Sequence, residues 1–514
     1  MLTYNQNLVA SHVKGHAKVL AAAGSGKTTT MVARLINLIN GGVKPNEALS
    51  VMFNRDARDS YKDKLLKTYP KDNCPPVFTF HGLGSEMLNR LVALKHLPKG
   101  RLEVTDYKQF VLAKDVLEPW MQDVSAKRQV IMEFLSFVDL TKNSLSNPID
   151  VFAEYEIKST NRFFIDGYKA FEKRRLKDNT LFFSDLIYTP VMFLRNNPEV
   201  AKEFANRYEH IIIDEFQDIS DIQMAMIEIV AGDRASVMAV GDDDQCIYAW
   251  RGAKPSYLIS GFDKFFPNPK VFQMTETFRY GHQLAMAATY LIKNNRVRSP
   301  KLCVSSPSAR TTEISLDSES IGQPSVPKQV NKWVESGRTL SEIAVLVRSY
   351  SQAVPVEISL LLAGIPYTVE GGTPLFEAPD IGALLAGLHF AAGTYDDLAE
   401  REQRKMLSLF LKSPSLMLTY DQERELLKEA LSDLADPAGA LDAFVFKVRE
   451  AWIKERLIKR GSTLRNLQTL RGYSLRETID YIVEQTGVHH HIKYTAKNAE
   501  EAEDTFQEAL IIFY

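Results

Sequence analysis

The sequence predicts an α/β fold of parallel-sheet lobes carrying large helical insertions, and three stretches support that reading. Ala17 to Ala22 is a short apolar run ending in Ala23-Gly24-Ser25-Gly26-Lys27-Thr28, and Val32, Leu35, Ile36 and Ile39 follow at helical spacing. Ile211-Ile212-Ile213 is a β-branched run ending in Asp214-Glu215-Phe216-Gln217-Asp218. Ser236 to Val240 leads into Gly241-Asp242-Asp243-Asp244-Gln245. Runs that are apolar at successive positions fit strands buried on both faces, as in parallel sheets.

Each stretch brings its own chemistry. Strand, glycine-rich turn and helix form the context of a phosphate-binding loop (P-loop). Gly24 and Gly26 let backbone N–H groups approach phosphate oxygens, and the helix N-terminus adds partial positive charge. Lys27 would then reach the β- and γ-phosphates, and the Thr28 hydroxyl would ligate Mg²⁺. The general motif has a glycine where this chain has Ala21. Paired acids beyond a parallel strand sit where α/β sheets bind ligands, so one of the Asp214-Glu215 pair can hold Mg²⁺ and the other can orient a water. Gln245 can donate to a phosphate oxygen and accept from water. Trp250 beside Arg251 has two readings, a base-stacking and phosphate-pairing couple or ordinary core packing.

Composition narrows the class. The chain has 514 residues, 45% hydrophobic and 25% charged, long enough for several domains and too apolar for wholesale disorder. Its 62 Lys and Arg against 64 Asp and Glu give a net charge of −2, so any nucleic-acid surface must be local. No apolar run approaches the roughly 20 residues of a membrane span, and the N-terminus has polar residues where a secretory signal is apolar. Cys74, Cys246 and Cys303 match no metal-ligand spacing. The expectation is a reduced, intracellular, cytoplasmic protein without membrane association.

In order along the chain, these motifs resemble those of the UvrD/Rep/PcrA-type superfamily 1A DNA helicases. The match includes LTYNQ, AAAGSGKT, Thr79-Phe80-His81-Gly82, IIIDEFQD, VGDDDQCIYAWRGA and Thr277-Phe278-Arg279-Tyr280. The resemblance implies two RecA-like lobes, ATP and Mg²⁺ as cofactors, and single-stranded DNA and its junction with duplex as partner. It implies that Gln6 reads adenine. Ala23, Gly24, Ser25, Gly26, Lys27, Thr28 and Thr29 would hold the nucleotide phosphates, with Phe278 packed on adenine. Asp214 and Thr28 would hold the metal, Glu215 would be the base, Gln245 the γ-phosphate sensor and Arg279 an arginine finger. Phe53, Thr79, His81, Tyr248, Trp250 and Arg251 would face DNA. The segment Met52 to Ala57 keeps Phe53 but lacks both threonines of the family's TFTNKA.

The same resemblance divides the chain. Residues 1–90 and 180–285 form the split first lobe (1A), and 91–179, without a strand signal, form a helical insertion (1B). Residues 286–380 open the second lobe (2A), with strand–helix–strand expected over 341–372 after a Ser/Pro-rich connection at 297–327. Residues 381–514 form a second helical insertion (2B). Within it, Lys447 to Arg476 carries nine basic residues opposed by Glu450 and Glu455, either a solvated helix face or a duplex contact. His489-His490-His491 is not read as a metal site, because adjacent side chains diverge. The family's motifs V and VI are not found; Tyr494 to Asn498 echoes motif V only superficially. The expectation is therefore a shortened or degenerate motor. The alternative is a module or regulatory subunit that holds ATP and DNA without turnover.

Overall fold

The computed structural model describes residues 2–488 apart from 71–72, 122–126, 318–324, 351, 373, 376–377 and 471–472. The chain falls into two units, Met1–Ser315 and Leu316–Tyr514.

The strands of the first unit are β1 (Ala17–Ala21), β2 (Ala48–Met52), β3 (Val77–Thr79), β4 (Arg101–Leu102), β5 (Thr180–Leu181), β6 (His210–Ile213), β7 (Ser236–Gly241), β8 (Lys270–Met274), β9 (Glu276–Thr277) and β10 (Val304–Ser305). Six of them form one parallel sheet in the order β3-β2-β6-β7-β1-β8. The expected α/β class is thus present, and the side chains explain why the strands are apolar throughout. Ala17, Val19, Ala21, Ile212, Met238 and Val240 enter one core with Met31, Leu35, Tyr61 and Leu65. The alternate residues Leu20, Ile211, Ile213, Val237 and Ala239 enter another with Phe80, Leu83, Val191 and Ile227. Period-two alternation into two cores requires helices on both faces.

Because all six strands run the same way, the loops after β1, β2, β3, β6, β7 and β8 emerge at one edge. The phosphate loop, the Met52 to Ala57 segment, Thr79-Phe80-His81-Gly82, the Asp214-Glu215 acids, the Gln245 loop and Thr277-Phe278-Arg279-Tyr280 all lie at or just beyond the carboxyl ends of these strands, whereas LTYNQ precedes β1 and runs into helix Tyr4–Ala10. Two of the residues concerned also start helices. Asn54 accepts from the Ala57 N–H at 2.8 Å to open helix Arg55–Leu66, and Thr79 accepts from the Gly82 N–H at 3.1 Å to open helix Phe80–Ala93.

Between β3 and β6 the chain builds helices Asp106–Leu117, Lys127–Asn143, Pro148–Glu154 and Phe164–Lys177 around a separate core that includes Phe134, Phe137, Phe164 and Phe171. One detail departs from the all-helical expectation. β4 pairs with β5, tying together the two ends of the insertion. A two-residue, surface ladder is too short to leave a periodic pattern in the sequence. Deeper in, Lys142 is fully buried and reaches Asp185 at 2.7 Å and Glu172 at 2.8 Å. Arg175 closes the network onto Glu172 at 2.7 Å. Breaking one partner of such a network leaves a buried charge uncompensated, so it fixes the insertion to helix Asp185–Asn196.

The described part of the second unit is helical. Helices Pro379–Ala392, Glu400–Lys412, Tyr420–Ala430, Pro437–Val445, Ala451–Leu467 and Leu475–Thr486 enclose a core containing Phe390, Leu407, Phe410, Leu441, Phe444, Leu457 and Ile479. The expected Pro/Gly break is a helix start. Asp436 accepts from the Gly439 N–H, and Pro437 takes the first helical position, where a missing N–H costs nothing. The strand–helix–strand expected over 341–372 is not what forms. Helix Ala353–Leu362 is present, but no strand occurs among the described residues of this unit. Val345, Leu346 and Val347 stay open to solvent, Leu346 at 93% exposure. A strand needs a neighbour for its N–H and C=O groups, and no described residue supplies one.

Candidate functional site

The loop after β1 is shaped by two glycines at positive φ, Gly24 at 75° and Gly26 at 78°. Gly26 is the N-cap of helix Lys27–Asn40, whose first N–H groups have no side-chain cap and point into the loop. Two neighbours press on it. A Cβ on Gly24 would lie 2.6 Å from Arg279 Cβ and 2.6 Å from Thr277 Oγ1, and the Phe278 N–H donates to the Gly24 carbonyl at 3.0 Å. A Cβ on Gly26 would lie 2.6 Å from Gln6 Nε2. Ser25 is buried and its Oγ has no hydrogen-bond partner among the described residues. Ala23 and Thr28 are half-buried and Thr29 is exposed.

Gln6 is buried and committed at both ends of its carboxamide. Its Oε1 accepts from the Thr3 N–H at 2.9 Å in a capping box, and its Nε2 donates to the Ser25 carbonyl at 3.0 Å. In this state Gln6 braces the loop, and pairing with a base would require it to exchange one of those bonds.

Opposite the loop, β6 delivers the acids. Lys27 Nζ lies 2.9 Å from Glu215 Oε2 and 3.1 Å from Oε1. Glu215 adopts φ 49°, a left-handed conformation that costs a non-glycine residue of order 1–3 kcal/mol and concentrates at functional sites. Asp214 is buried, and its carboxyl is pushed up to about 6, by desolvation first and then by the charge of Glu215, against the pull of Lys27. Asp218 is likewise raised to about 6, chiefly by burial.

Gln217, which sequence reasoning passed over as part of a motif, links two strands. Its Nε2 donates to Glu215 Oε2 at 2.9 Å and to Asp218 Oδ2 at 3.1 Å, while its Oε1 accepts from the Asp242 N–H at 2.9 Å. Asp242 in turn holds Gln245, whose Nε2 donates to Asp242 Oδ2 at 2.6 Å. The loops after β1, β6 and β7 are therefore joined from Lys27 to Gln245. Phe278 and Arg279 are both exposed, beside Gly24.

The DNA-facing expectations separate into two groups. Phe53 and Tyr248 pack with ring centroids 5.1 Å apart, and Arg251 lies 4.5 Å from the Trp250 ring centroid and 5.8 Å from that of Tyr248. Trp250 is 65% exposed, which decides against core packing. His81 stacks on Phe183 at 3.9 Å with 19° between the planes, and burial lowers the His81 pKa to about 4, so the ring is neutral. Phe183 is 54% exposed and was missed, because it lies far from His81 in sequence with no motif around it. Thr79 is buried and serves as the helix cap described above.

The basic stretch of the second unit is partly occupied. Arg460 is buried and donates to the carbonyls of Phe410, Ser413 and Pro414 at the end of helix Glu400–Lys412. Lys447 pairs with Glu425 and Glu429, and Arg465 with Asp442. Arg471, His489-His490-His491 and Tyr494 to Asn498 lie outside the described residues. No described helix is long and apolar enough to cross a membrane.

Comparison with known proteins identifies the family. Residues 2–267 match the UvrD/REP helicase N-terminal domain, and residues 273–509 match the UvrD-like helicase C-terminal domain. The chain is 30% identical over 404 residues to the ATP-dependent DNA helicase Rep of Escherichia coli, covering 77% of this chain and 59% of that protein. It is 27% identical over 391 residues to the ATP-dependent DNA helicase PcrA of Staphylococcus epidermidis, covering 75% and 53%. The chain thus spans a little over half the length of these relatives, and the family match fills most of it: the chain belongs to the UvrD/REP helicase family.

Proposed function

We propose that the chain is the ATP-hydrolysing part of a DNA helicase or translocase that moves 3′→5′ on single-stranded DNA toward a duplex junction in the cytoplasm. The observation that carries this reading is the Lys27–Glu215 pair at the mouth of a glycine-lined loop, facing a buried Asp214. The residues fit Mg²⁺–ATP. An anion-binding loop has an uncapped helix end behind it, and a carboxylate that burial destabilises is relieved by a cation. Thr28 and Asp214 would hold Mg²⁺, which supplies charge neutralisation at the phosphates. Residues 23–29 would cradle those phosphates, with Gln6 and Phe278 at the base. Glu215 would take the proton of the attacking water, and Gln245 and Arg279 would face the γ-phosphate. Phe53, Tyr248, Trp250 and Arg251, with Thr79 and His81, would form the DNA path. On this reading 1–90 and 180–285 are the first lobe, 91–179 its insertion, 286–380 the opening of the second lobe and 381–514 its insertion.

The test is ATP hydrolysis by the full chain with and without single-stranded DNA, using Lys27→Ala as control. Stimulation by DNA that Lys27→Ala abolishes supports the reading. Tight ATP binding with no phosphate release from wild type replaces it with a nucleotide-holding module. Strand displacement on matched DNA and RNA duplexes tests the choice of nucleic acid.

A further inference from the structure

Asp242, Asp243 and Asp244 follow β7 in succession, and their carboxylate oxygens come within 4.8 Å of one another, a spacing that would suit a metal ion. An ammonium stands there instead. Lys301 Nζ lies 2.9 Å from Asp242 Oδ1, 2.5 Å from Asp243 Oδ1 and 2.8 Å from Asp244 Oδ2. Arg298 adds a two-pronged contact to Asp244 at 2.9 and 2.7 Å, and the Ser299 N–H donates to Asp243 Oδ2 at 2.6 Å. Lys301 and Asp243 are almost wholly buried, so these are not solvent-screened surface pairs. Three acids in a row, enclosed without this lysine, would repel one another and open the loop.

The arrangement continues in two directions. Asp242 spends one oxygen on Lys301 and the Asp244 N–H, and the other on Gln245 Nε2. The aim of the Gln245 carboxamide therefore depends on where Lys301 pins Asp242. Three residues after Lys301 the chain becomes β10, which pairs in parallel with β9, and the Ser306 N–H donates to the Thr277 carbonyl at 2.8 Å. Thr277 and Arg279 are the residues that abut Gly24. One short segment, 298–306, thus grips the loop that carries Gln245 and the strand that leads to Arg279.

We propose that Lys301 is a positioning residue that yokes Gln245 to Arg279, so that the two groups meant for the γ-phosphate keep one fixed spacing. The inference rests on the ATP-hydrolysing reading above. Lys301 acts through Asp242 on one side and through β10 and β9 on the other.

The test compares wild type, Lys301→Met and Lys301→Arg as full chains. It measures steady-state ATP hydrolysis over a range of Mg²⁺–ATP concentrations with saturating oligo(dT), binding of a fluorescent ATP analogue, and thermal unfolding. A misaimed catalytic group costs turnover more than binding, so Lys301→Met lowers kcat about tenfold or more and leaves KM within about threefold. Lys301→Arg, which keeps the charge among the three aspartates, recovers most of kcat. If Lys301→Met does not fold, Asp243→Asn loosens the lysine while leaving the Asp242–Gln245 bond intact, and it shows the same split at smaller size. Lys301→Met turning over like wild type overturns the inference, as does a loss of kcat matched by lost nucleotide binding that Lys301→Arg does not repair. Wild type that hydrolyses no ATP overturns the functional reading, and the inference falls with it.

Discussion

Lys27 and Glu215 hold each other across the carboxyl edge of the sheet, at 2.9 and 3.1 Å, with side-chain exposures of 12% and 31%. On the proposed reading the pair joins the phosphate-binding residue to the base, so a bound nucleotide would draw the lysine away and thereby free the carboxylate. Glu215→Gln removes the negative partner while keeping the shape. It is expected to bind a fluorescent ATP analogue at least as tightly as wild type, because phosphate no longer competes for Lys27. Its phosphate release falls by about 10²–10⁴-fold, the range for loss of a general base. Unchanged turnover in Glu215→Gln would remove Glu215 from the chemistry.

Asp214 makes stability depend on pH in a defined direction. Its carboxyl is held up to about 6 from an ordinary 3.8, by burial first and the neighbouring Glu215 second. Between those values the folded chain keeps a proton that the unfolded chain releases, so stability falls as pH rises through the window and stays reduced above it. Asp214→Asn removes the charge that carries this cost. It is expected to be more stable than wild type at pH 8, by at most roughly 3 kcal/mol, with the gain shrinking as pH approaches 4, and to hydrolyse no ATP. A gain of the same size at pH 8 and pH 4.5 would contradict the assignment.

The buried strands and the turns behind them were legible because parallel strands and phosphate loops constrain consecutive residues. Ile211 to Asp214 carries both its burial and its acid in four letters. What escaped reading was built by contacts between distant residues. Lys301 sits in a Ser/Pro-rich connection that reads as a loop, yet it neutralises three aspartates more than fifty positions earlier in the chain. Phe183 meets His81, and Lys142 meets Asp185, in the same way. The strands expected around Val345 to Val347 failed for the complementary reason. Their pattern is local, but a strand is completed by a neighbour that the pattern cannot name.

Gly24 separates backbone conformation from crowding. Its φ of 75° alone disfavours a side chain by about 1–2 kcal/mol. A Cβ there would also press within 2.6 Å of Arg279 Cβ and Thr277 Oγ1. Gly15 has φ 85° with nothing within 4 Å, so it carries the first penalty without the second. Gly15→Ala should therefore lower stability by about 1–2 kcal/mol and leave ATP binding intact. Gly24→Ala should lose more stability and weaken ATP binding about tenfold or more, because the loop or Arg279 must move. Equal ATP affinities in the two variants would show that the Gly24 contact does not shape the site.

Trp250 offers a ring to solvent at 65% exposure with the Arg251 guanidinium 4.5 Å from its centroid, beside the packed pair Phe53 and Tyr248. On the proposed reading such a surface would accept a base on the ring and a phosphate on the cation. Removing an exposed ring costs little folding energy, so Trp250→Ala is expected to unfold within about 0.5 kcal/mol of wild type. Its affinity for labelled oligo(dT), read by fluorescence anisotropy, falls by about 5- to 150-fold, corresponding to one lost base stack. Trp250→Phe keeps a π-face and recovers most of that loss. Arg251→Ala separates the two contributions, because losing one phosphate contact lowers the slope of log affinity against log salt by about 0.7 for a single strand. A Trp250→Ala chain that binds oligo(dT) as tightly as wild type would remove Trp250 from the proposed DNA path.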